Sequence, residues 1–442
     1  MTEYASSPIA IIGNGFAALA VAQQLVKRGV SVRIIGPATR FGRGTAYGAA
    51  RPEHLLNVPA ERMGWDADAP GDFADWLGLE GDARRAFLPR SRYGDYLLSR
   101  WDALMDAHGD RIEVVAQTVP GLQPDDAGWR ITLADGATLT TRDVVLAIGN
   151  ADAPDAPDAP DAANIVTQPW AAGALERIPA DAPVLVLGSG LTMIDIASTL
   201  LLRGHHGGIH ALSRRGLTPD LHPEPPLPPH APSHELLHAF ATQRLSRAVR
   251  LLRQASEQGI APAALADGLR PHVATIWRGM KPATRSRFLR HLRPWWDRMR
   301  HRVPGEVMQR LRDAEREGRF SLRAGRLIAH RDGVAEIQPR GTRERMRLPA
   351  TWLVYATGWD GDAARLAAHP VLRTLIAEGL AMPDPLGLGL ACDAHGQLLG
   401  RDGPTSRLHL IGNLRRGECW ESSAVPELRA QAAALAERLA PA

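Results

Sequence analysis

Apolar and polar positions along the chain repeat one arrangement twice. Pro8 to Ile12 is a short apolar run, Gly13-Asn14-Gly15 interrupts it, and an apolar-rich segment continues to Arg28 and stops at Gly29. A short apolar run bounded by turn residues predicts a buried strand, and the longer segment closed by glycine predicts a helix. Val30 to Ile35 predicts the following strand. The same order returns at Val184 to Leu187, Gly188-Ser189-Gly190, Leu191 to Arg203 with Gly204, and His210 to Ser213. Strand, crossover helix and parallel strand in repetition predict an α/β chain with two Rossmann-like, doubly wound domains.

Between these units the pattern changes. Trp129 to Leu133 and Ala137 to Thr141 alternate around Asp135-Gly136, a hairpin signal, and Val144 to Ile148 predicts a buried strand. Residues 151–163, ADAPDAPDAPDAA, are low in complexity and punctuated by Pro, which predicts an extended linker and a domain seam. A second Pro-rich run, His222 to Pro232, precedes a helical segment whose Ala241, Leu245, Ala248 and Leu252 are expected on one face. Short strands then return, among them Trp352 to Ala356, and the chain ends in an Ala-rich helix after Pro426.

At 442 residues the chain has room for two or three domains. Its 45% apolar and 23% charged residues exclude a disordered or collagen-like architecture. The longest apolar-looking stretch, Ile9 to Val26, is broken by Asn14, Gln23 and Gln24, so no membrane span is expected. No basic segment precedes an apolar one at the start, and a cytoplasmic protein is expected. The two cysteines, Cys392 and Cys419, form no CxxC pair and no metal-ligand spacing, so neither disulfide reductase chemistry nor a metal site is expected. Net charge is only +4, with Lys at Lys27 and Lys281 alone. From Arg244 to Arg312 sixteen basic residues stand against four acidic ones. A solvated basic face in an Arg-rich chain explains this better than nucleic-acid binding. His205, His206, His210, His222 and His230 crowd one loop-rich stretch and are given no catalytic role.

The glycine turns carry the candidate chemistry. In Gly13-x-Gly15-x-x-Ala18 the first glycine permits the tight turn, the second lets backbone approach a diphosphate, and the small third residue lets helix and strand pack closely. The helix N-terminus that follows faces the anion. Dinucleotide binding is therefore expected, although the acid usual at the end of the second strand is missing, since that strand runs into Gly36-Pro37 and then Arg40. Gly188, Ser189, Gly190 and Thr192 repeat the turn, with Met193 at the third small position, where it is expected to loosen the packing. The second strand of this unit ends in Ser213-Arg214-Arg215, where arginines suit a coenzyme 2′-phosphate and favour NADPH over NADH. Two further strands end alike, at Gly149 and Gly358, which bares backbone for a planar or phosphorylated ligand. Gly412-Asn413 and a helix beginning around Ser423 to Pro426 are suited to aim a helix dipole at a reduced flavin.

Together these residues resemble the flavoproteins with two dinucleotide-binding domains, the first for FAD and the second for NAD(P)H. More narrowly, GRGTAYGAARPEHLLNVPAERM (42–63), GSGLTMIDIASTLLLRGHHGGIHALSRRG (188–216) and RRGECWESSAVPELRAQA (415–432) resemble one bacterial FAD/NAD(P)-binding family. That family includes a flavoprotein urate hydroxylase and amino-acid N-oxygenases. The expected layout is a first part of the FAD domain at 1–150, a connecting segment at 151–182, and a first part of the NAD(P)H domain at 183–221. A Pro-rich loop with a helical Arg-rich insertion follows at 222–320, and 321–442 completes both domains.

The resemblance implies that NAD(P)H reduces FAD, dioxygen adds to the reduced flavin, and a flavin hydroperoxide passes one oxygen to a small nitrogen-containing substrate. No protein nucleophile is required, so no catalytic residue is assigned. Arg43, Gly44, Thr45, Tyr47 and Asn57 become candidate flavin contacts, and Trp420 and Glu421 candidates for the substrate side of the flavin. The Arg-rich helices are candidates to hold an anionic substrate, and Trp295-Trp296 are either core or a stacking wall. Urate hydroxylation is the first expectation and amino-acid N-oxygenation the second. Hydride transfer to a non-disulfide acceptor is the third, and a catalytically silent nucleotide-binding protein the fourth. The expected partners are a small substrate and dioxygen, without nucleic acid or membrane.

Overall fold

Two largely parallel sheets of matching strand order organise the chain. The computed structural model describes residues 7–39, 41–126, 128–150, 164–358 and 362–441. Arg40 and the linker expected at 151–163 lie outside the described residues. The chain forms two units, Met1–Pro154 with Asp360–Ala442, and Asp155–Trp359.

In the first unit the parallel strands stand in the order Ile112–Val115, Val32–Ile35, Ile9–Ile12, Val144–Leu146, Gly403–Leu410, with Gln397–Gly400 antiparallel at the edge. Ile9–Ile12 is buried at every position, as a central strand covered on both faces must be. The chain leaves Ile12 through the glycine turn into the helix Phe16–Val26 and returns at Val32. The next crossover carries the helix Arg90–His108 to Ile112. A three-stranded antiparallel meander, Gly121–Asp125, Gly128–Thr132 and Thr138–Thr141, then leads to Val144. The hairpin expected at Asp135-Gly136 is the second turn of this meander, with Gly136 at φ +86°. Strand order thus reverses between Ile9–Ile12 and Val144–Leu146, and open α/β sheets bind ligands beyond the carboxyl ends of the strands at such a point.

The helix Phe16–Val26 buries every residue except Ala17, because the sheet covers one side and the terminal helix Val425–Leu439 another. Full burial of Leu19, Val21 and Leu25 contributes roughly 1.5–3 kcal/mol apiece. The NH2 groups of its two buried amides are paired: Gln23 and Gln24 donate to the Asp66 carboxylate at 3.0 and 3.3 Å, and Lys27 joins the same group, while Gln23 Oε1 is buried without a partner among the described residues. Burial opposes ionisation of Asp66, yet hydrogen bonds from Lys27 and from the Asp68 and Ala67 backbone hold its carboxyl below the usual range.

The second unit repeats the scheme with Phe320–Arg331, Ile209–Ser213, Val184–Leu187, Trp352–Tyr355 and Ile165–Val166. The segment from 151 to 182 therefore contributes an edge strand as well as a connection. Phe320 to Ala324 pair in parallel with Ile209–Ser213, and the same strand runs on from Gly325 into an antiparallel meander with Val334–Pro339 and Met346–Pro349. Both units therefore pass from third to fourth parallel strand through three antiparallel segments. The Arg-rich helices fill the crossover between Ser213 and Phe320.

One sequence expectation for those helices needs correction. Ala241 does not share a face with Leu245 and Ala248: the helix His234–Ala241 stops, Gln243 turns at φ +62°, and a new helix, Leu245–Glu257, begins. Ala241 is exposed while Leu245 and Ala248 are buried. Adjacent Trp295 and Trp296 have separate fates, the first 45% exposed and the second in the core. Among the described residues no helix is long and apolar enough to cross a membrane.

Candidate functional site

Both glycine turns are built by one backbone device. Gly13 has φ +123°, its N–H donates to Ile35 O at 2.8 Å, and a Cβ there would stand 2.2 Å from Ala147 O on the neighbouring strand. Gly188 has φ +129°, its N–H donates to Leu212 O at 2.8 Å, and its Cβ would stand 2.2 Å from Ala356 O. Glycine is required at these positions by the crossing strand, whatever ligand lies above. The helices then start at Phe16 and Leu191 behind extended Gly15 and Gly190, and neither helix has a side-chain cap. Uncapped first-turn N–H groups at the positive end of the helix dipole form an anion site.

The second glycines differ. A Cβ at Gly190 would meet nothing within 4 Å, whereas one at Gly15 would lie 3.5 Å from the Cα of Gly44. The Arg43-Gly44 turn thus presses directly on the first cradle. Ala18 and Met193 are both fully buried, so the larger Met193 side chain is taken into the core.

The residue between the glycines ties down the loop after the second strand in each unit. Asn14 donates through Nδ2 to Pro37 O, and its own carbonyl accepts from Gly42 N at 2.8 Å. A Cβ at Gly36 would fall 2.9 Å from Asn14 Cβ, so the place where a ribose-binding acid was sought is filled by Asn14. In the second unit Ser189 donates to Leu217 O at 2.6 Å and shares a hydroxyl contact of 2.9 Å with Ser213, which also accepts from Gly216 N at 3.0 Å. Ser189 and Ser213 therefore have partners within the loop. Arg214 is exposed and has no ion pair among the described residues, while Arg215 donates to Arg290 O at 3.0 Å. Thr192 is half-buried on the first helical turn.

Around the first cradle, Arg43 is held by Asp95 at 2.7 Å and lies along Gly94, where a Cβ would approach its Cδ to 3.2 Å. Its Nε is buried without a hydrogen-bond partner. Thr45 is exposed and Asn57 half-buried nearby in sequence. Tyr47 meets Tyr93 edge-on at 4.7 Å, and Tyr93 is fully buried with an unpartnered hydroxyl. Burial raises the pKa of both phenols, so both remain protonated. Gly149 and Gly358 have φ +68° and +76°, with open space where a Cβ would stand. Gly412, at φ +94°, donates to Gln431 of the terminal helix at 3.2 Å, and Asn413 Nδ2 reaches Asn150 Oδ1, so the Gly412-Asn413 and Gly149 turns meet. Trp420 is buried beneath the Arg416 guanidinium, 4.6 Å from its ring centre, and the Glu421 carbonyl accepts from Cys419 Sγ at 3.4 Å.

Sequence reasoning missed Asn14, Tyr93 and Asp95. Asn14 was visible as a polar residue inside the turn; Tyr93 and Asp95 lie on a distant helix, and no spacing rule links them to Arg43. It also passed over His234-Glu235-Leu236-Leu237-His238, the spacing of a helical zinc motif. There the two imidazoles stack 6.3 Å apart on an exposed face and Glu235 pairs with Arg247. Among the described residues no group of three His, Cys, Asp or Glu side chains could hold a metal ion. A groove of about 410 Å³ beside Leu202 and Arg310 lies at the far end of the Leu191–Leu202 helix from Gly190 and contains none of the expected site residues.

Residues 10–151 match a family described as FAD-NAD(P)-binding. No curated protein matches the chain in sequence. Solved structures share its fold over nearly the whole length. L-lysine 6-monooxygenase from Pseudomonas syringae is 17% identical with a TM-score of 0.66, covering 98% of this chain and 99% of the other. An ornithine N-hydroxylase from Kutzneria sp. 744, solved with reduced FAD, NADP+ and L-ornithine, is 15% identical with a TM-score of 0.64 and the same coverage. A bacillithiol disulfide reductase from Bacillus cereus is 13% identical with a TM-score of 0.56, covering 98% of both chains. The fold is that of the FAD/NAD(P)-binding flavoproteins.

Proposed function

We propose that this chain is an FAD-dependent oxidoreductase that consumes NADPH or NADH and oxygenates a small nitrogen-containing metabolite. Amino-acid N-oxygenation is the favoured form and urate hydroxylation the second. The observation that carries the reading is the recurrence of one cradle in both units: a first glycine against the neighbouring strand, a second beneath an uncapped helix start, and a bare glycine ending the fourth strand. The preference for an amino acid rests on the N-hydroxylase folds, which span nearly the whole chain; no urate enzyme is among the similar structures reported above.

The residues present fit both nucleotides. Gly13, Gly15 and the Phe16 helix start would hold the FAD diphosphate, with Arg43, whose buried Nε lacks a partner, beside the turn that touches Gly15. Gly188, Gly190 and Thr192 would hold the coenzyme diphosphate, and Arg214 its 2′-phosphate. Bound FAD supplies the electron transfer and oxygen activation; the chain binds, orients and keeps water out. Tyr47 and Tyr93, kept protonated by burial, retain an O–H that can donate. Gly412 and Asn413, tied to Gln431 and Asn150, shape the end of the flavin site. Cys392 and Cys419 form no disulfide among the described residues, and burial pushes the Cys392 thiol up to about 12.

The test is full-length protein reconstituted with FAD and assayed for NADPH oxidation and oxygen uptake with lysine, ornithine, aspartate and urate, followed by hydroxylamine detection. Stimulation by an amino acid with an N-oxygenated product is expected. Stimulation by urate alone transfers the reading to hydroxylation. Coenzyme oxidation coupled only to an added acceptor, with no substrate-dependent oxygen uptake, makes the protein a reductase, and failure to retain FAD overturns the whole assignment.

A further inference from the structure

The loop that follows the second strand of the second unit is fastened at both ends. At its start Gly216, at φ +61°, passes the third strand so closely that a Cβ would meet Ala324 Cβ at 3.1 Å, and the Ser213 hydroxyl holds the turn. At its end Asp220 is bound three times to the helical insertion. Its N–H donates to Arg298 O at 2.9 Å, its carbonyl accepts from Val303 N at 3.0 Å, and its carboxylate accepts from Arg298 Nε at 2.6 Å. Leu221 then pairs with Val303 as a short parallel bridge, and His222 N donates to Val303 O at 3.1 Å. Within the first fastening, between Ser213 and Gly216, Arg215 donates to Arg290 O in the insertion. Arg214 is the guanidinium left exposed on this loop, with no ion pair among the described residues.

We propose that Arg298 is a positioning residue for coenzyme selectivity: by gripping Asp220 it holds the loop in the form that presents Arg214 to a 2′-phosphate. The inference rests on the coenzyme reading above and deepens it. The helical insertion thereby acts on specificity from 84 positions downstream without touching the nucleotide. A guanidinium on a fixed loop loses less freedom when it meets a phosphate than one on a loose loop, so slackening the loop weakens the charged contact and spares the rest of the coenzyme. Linkage makes the effect reciprocal, and coenzyme binding tightens the Asp220–Val303 fastening.

The experiment compares kcat/KM for NADPH and NADH in FAD-reconstituted wild type, Arg298→Ala, Arg298→Lys and Arg214→Ala. Arg298 and Asp220 are both part-exposed, so Arg298→Ala is expected to lower the NADPH preference about three- to fivefold, through KM for NADPH, with the flavin spectrum intact. Arg298→Lys is expected to recover part of it. Asp220→Asn, which keeps both backbone bonds, serves as the second variant if Arg298→Ala does not fold. Amide exchange at Asp220 and Val303 is expected to slow with NADP+ in wild type and less so in Arg298→Ala. If Arg214→Ala abolishes the preference while Arg298→Ala and Asp220→Asn leave it intact, the positioning role is refuted. Equal losses with both coenzymes also refute it, as general loosening. If Arg214→Ala itself changes nothing, it is the coenzyme reading of the loop that fails.

Discussion

The glycine turns of the two units are most alike at their first residue and most different at their second. Gly13 and Gly188 have nearly equal positive φ and equal clashes waiting on the next strand, Ala147 O and Ala356 O at 2.2 Å from an added Cβ. Both strands that press on them belong to the unit's own sheet, so this glycine is a demand of the fold. At the second position the first unit brings Gly44 within 3.5 Å of a would-be Cβ, and the second unit brings nothing within 4 Å. The second unit thus reserves open space above its helix start, whereas the first has another glycine turn across part of it. A glycine pattern that looks uniform in sequence therefore mixes residues fixed by packing with residues that the packing shown does not require.

That division makes the largest predicted effects separable. Gly13→Ala and Gly188→Ala should each cost on the order of 3 kcal/mol or more, from positive-φ strain added to contact with a backbone oxygen. Denaturant unfolding reads the loss; normal stability of either variant would mean that the crossing strand does not impose the glycine. Gly190→Ala should leave stability within about 0.5 kcal/mol, since its Cβ enters open space, but raise the coenzyme KM roughly tenfold or more. Unchanged KM would break the contrast between the two positions. Gly15→Ala falls between, with a contact of ordinary length to Gly44, a stability loss under about 1 kcal/mol and reduced FAD content on purification.

The element scheme around these turns was legible because strand, glycine and helix are local signals. Ile9–Ile12, Phe16–Val26, Val184–Leu187 and Leu191–Leu202 lie within two residues of their sequence-derived bounds. What was not legible depends on contacts between distant segments. Nothing near Gly36 announces that Asn14 occupies the space beside it, and nothing near Arg43 announces Asp95. The break at Gln243 was also hidden, since a left-handed residue in a polar stretch leaves the apolar spacing from Ala241 to Leu252 looking continuous. Trp295 and Trp296 were indistinguishable by type and are separated only by the helix face each occupies.

A smaller contrast lies within the coenzyme loop. Arg214 is exposed and without an ion pair among the described residues, whereas Arg215 already gives a hydrogen bond to Arg290 O. Arg214→Ala should reduce the NADPH preference about tenfold or more, the scale of a lost charge-assisted hydrogen bond. Arg215→Ala should change it less and act mainly by freeing the loop from the insertion. Titration of NADPH and NADH against flavin reduction compares them, and equal effects on both coenzymes would remove the phosphate argument.

The smallest difference expected between the units appears in acid. Burial lowers the pKa of His205 and His210 in the second unit, with His206 and Arg323 adding to the effect, and burial lowers that of His409 in the first. For an imidazole depressed in the folded state, the unfolded chain takes up its proton first. Stability is then unaffected well above the ordinary histidine value and is lost as pH falls below about 6.5 toward the folded pKa. Replacing two depressed imidazoles removes more than replacing one, so His205→Gln with His210→Gln should remove more of the stability lost between about pH 7 and pH 5 than His409→Gln does. Denaturant midpoints across that range measure it. A larger rescue by His409→Gln would show that the acid-sensitive element is the strand Gly403–Leu410 beside Val144–Leu146.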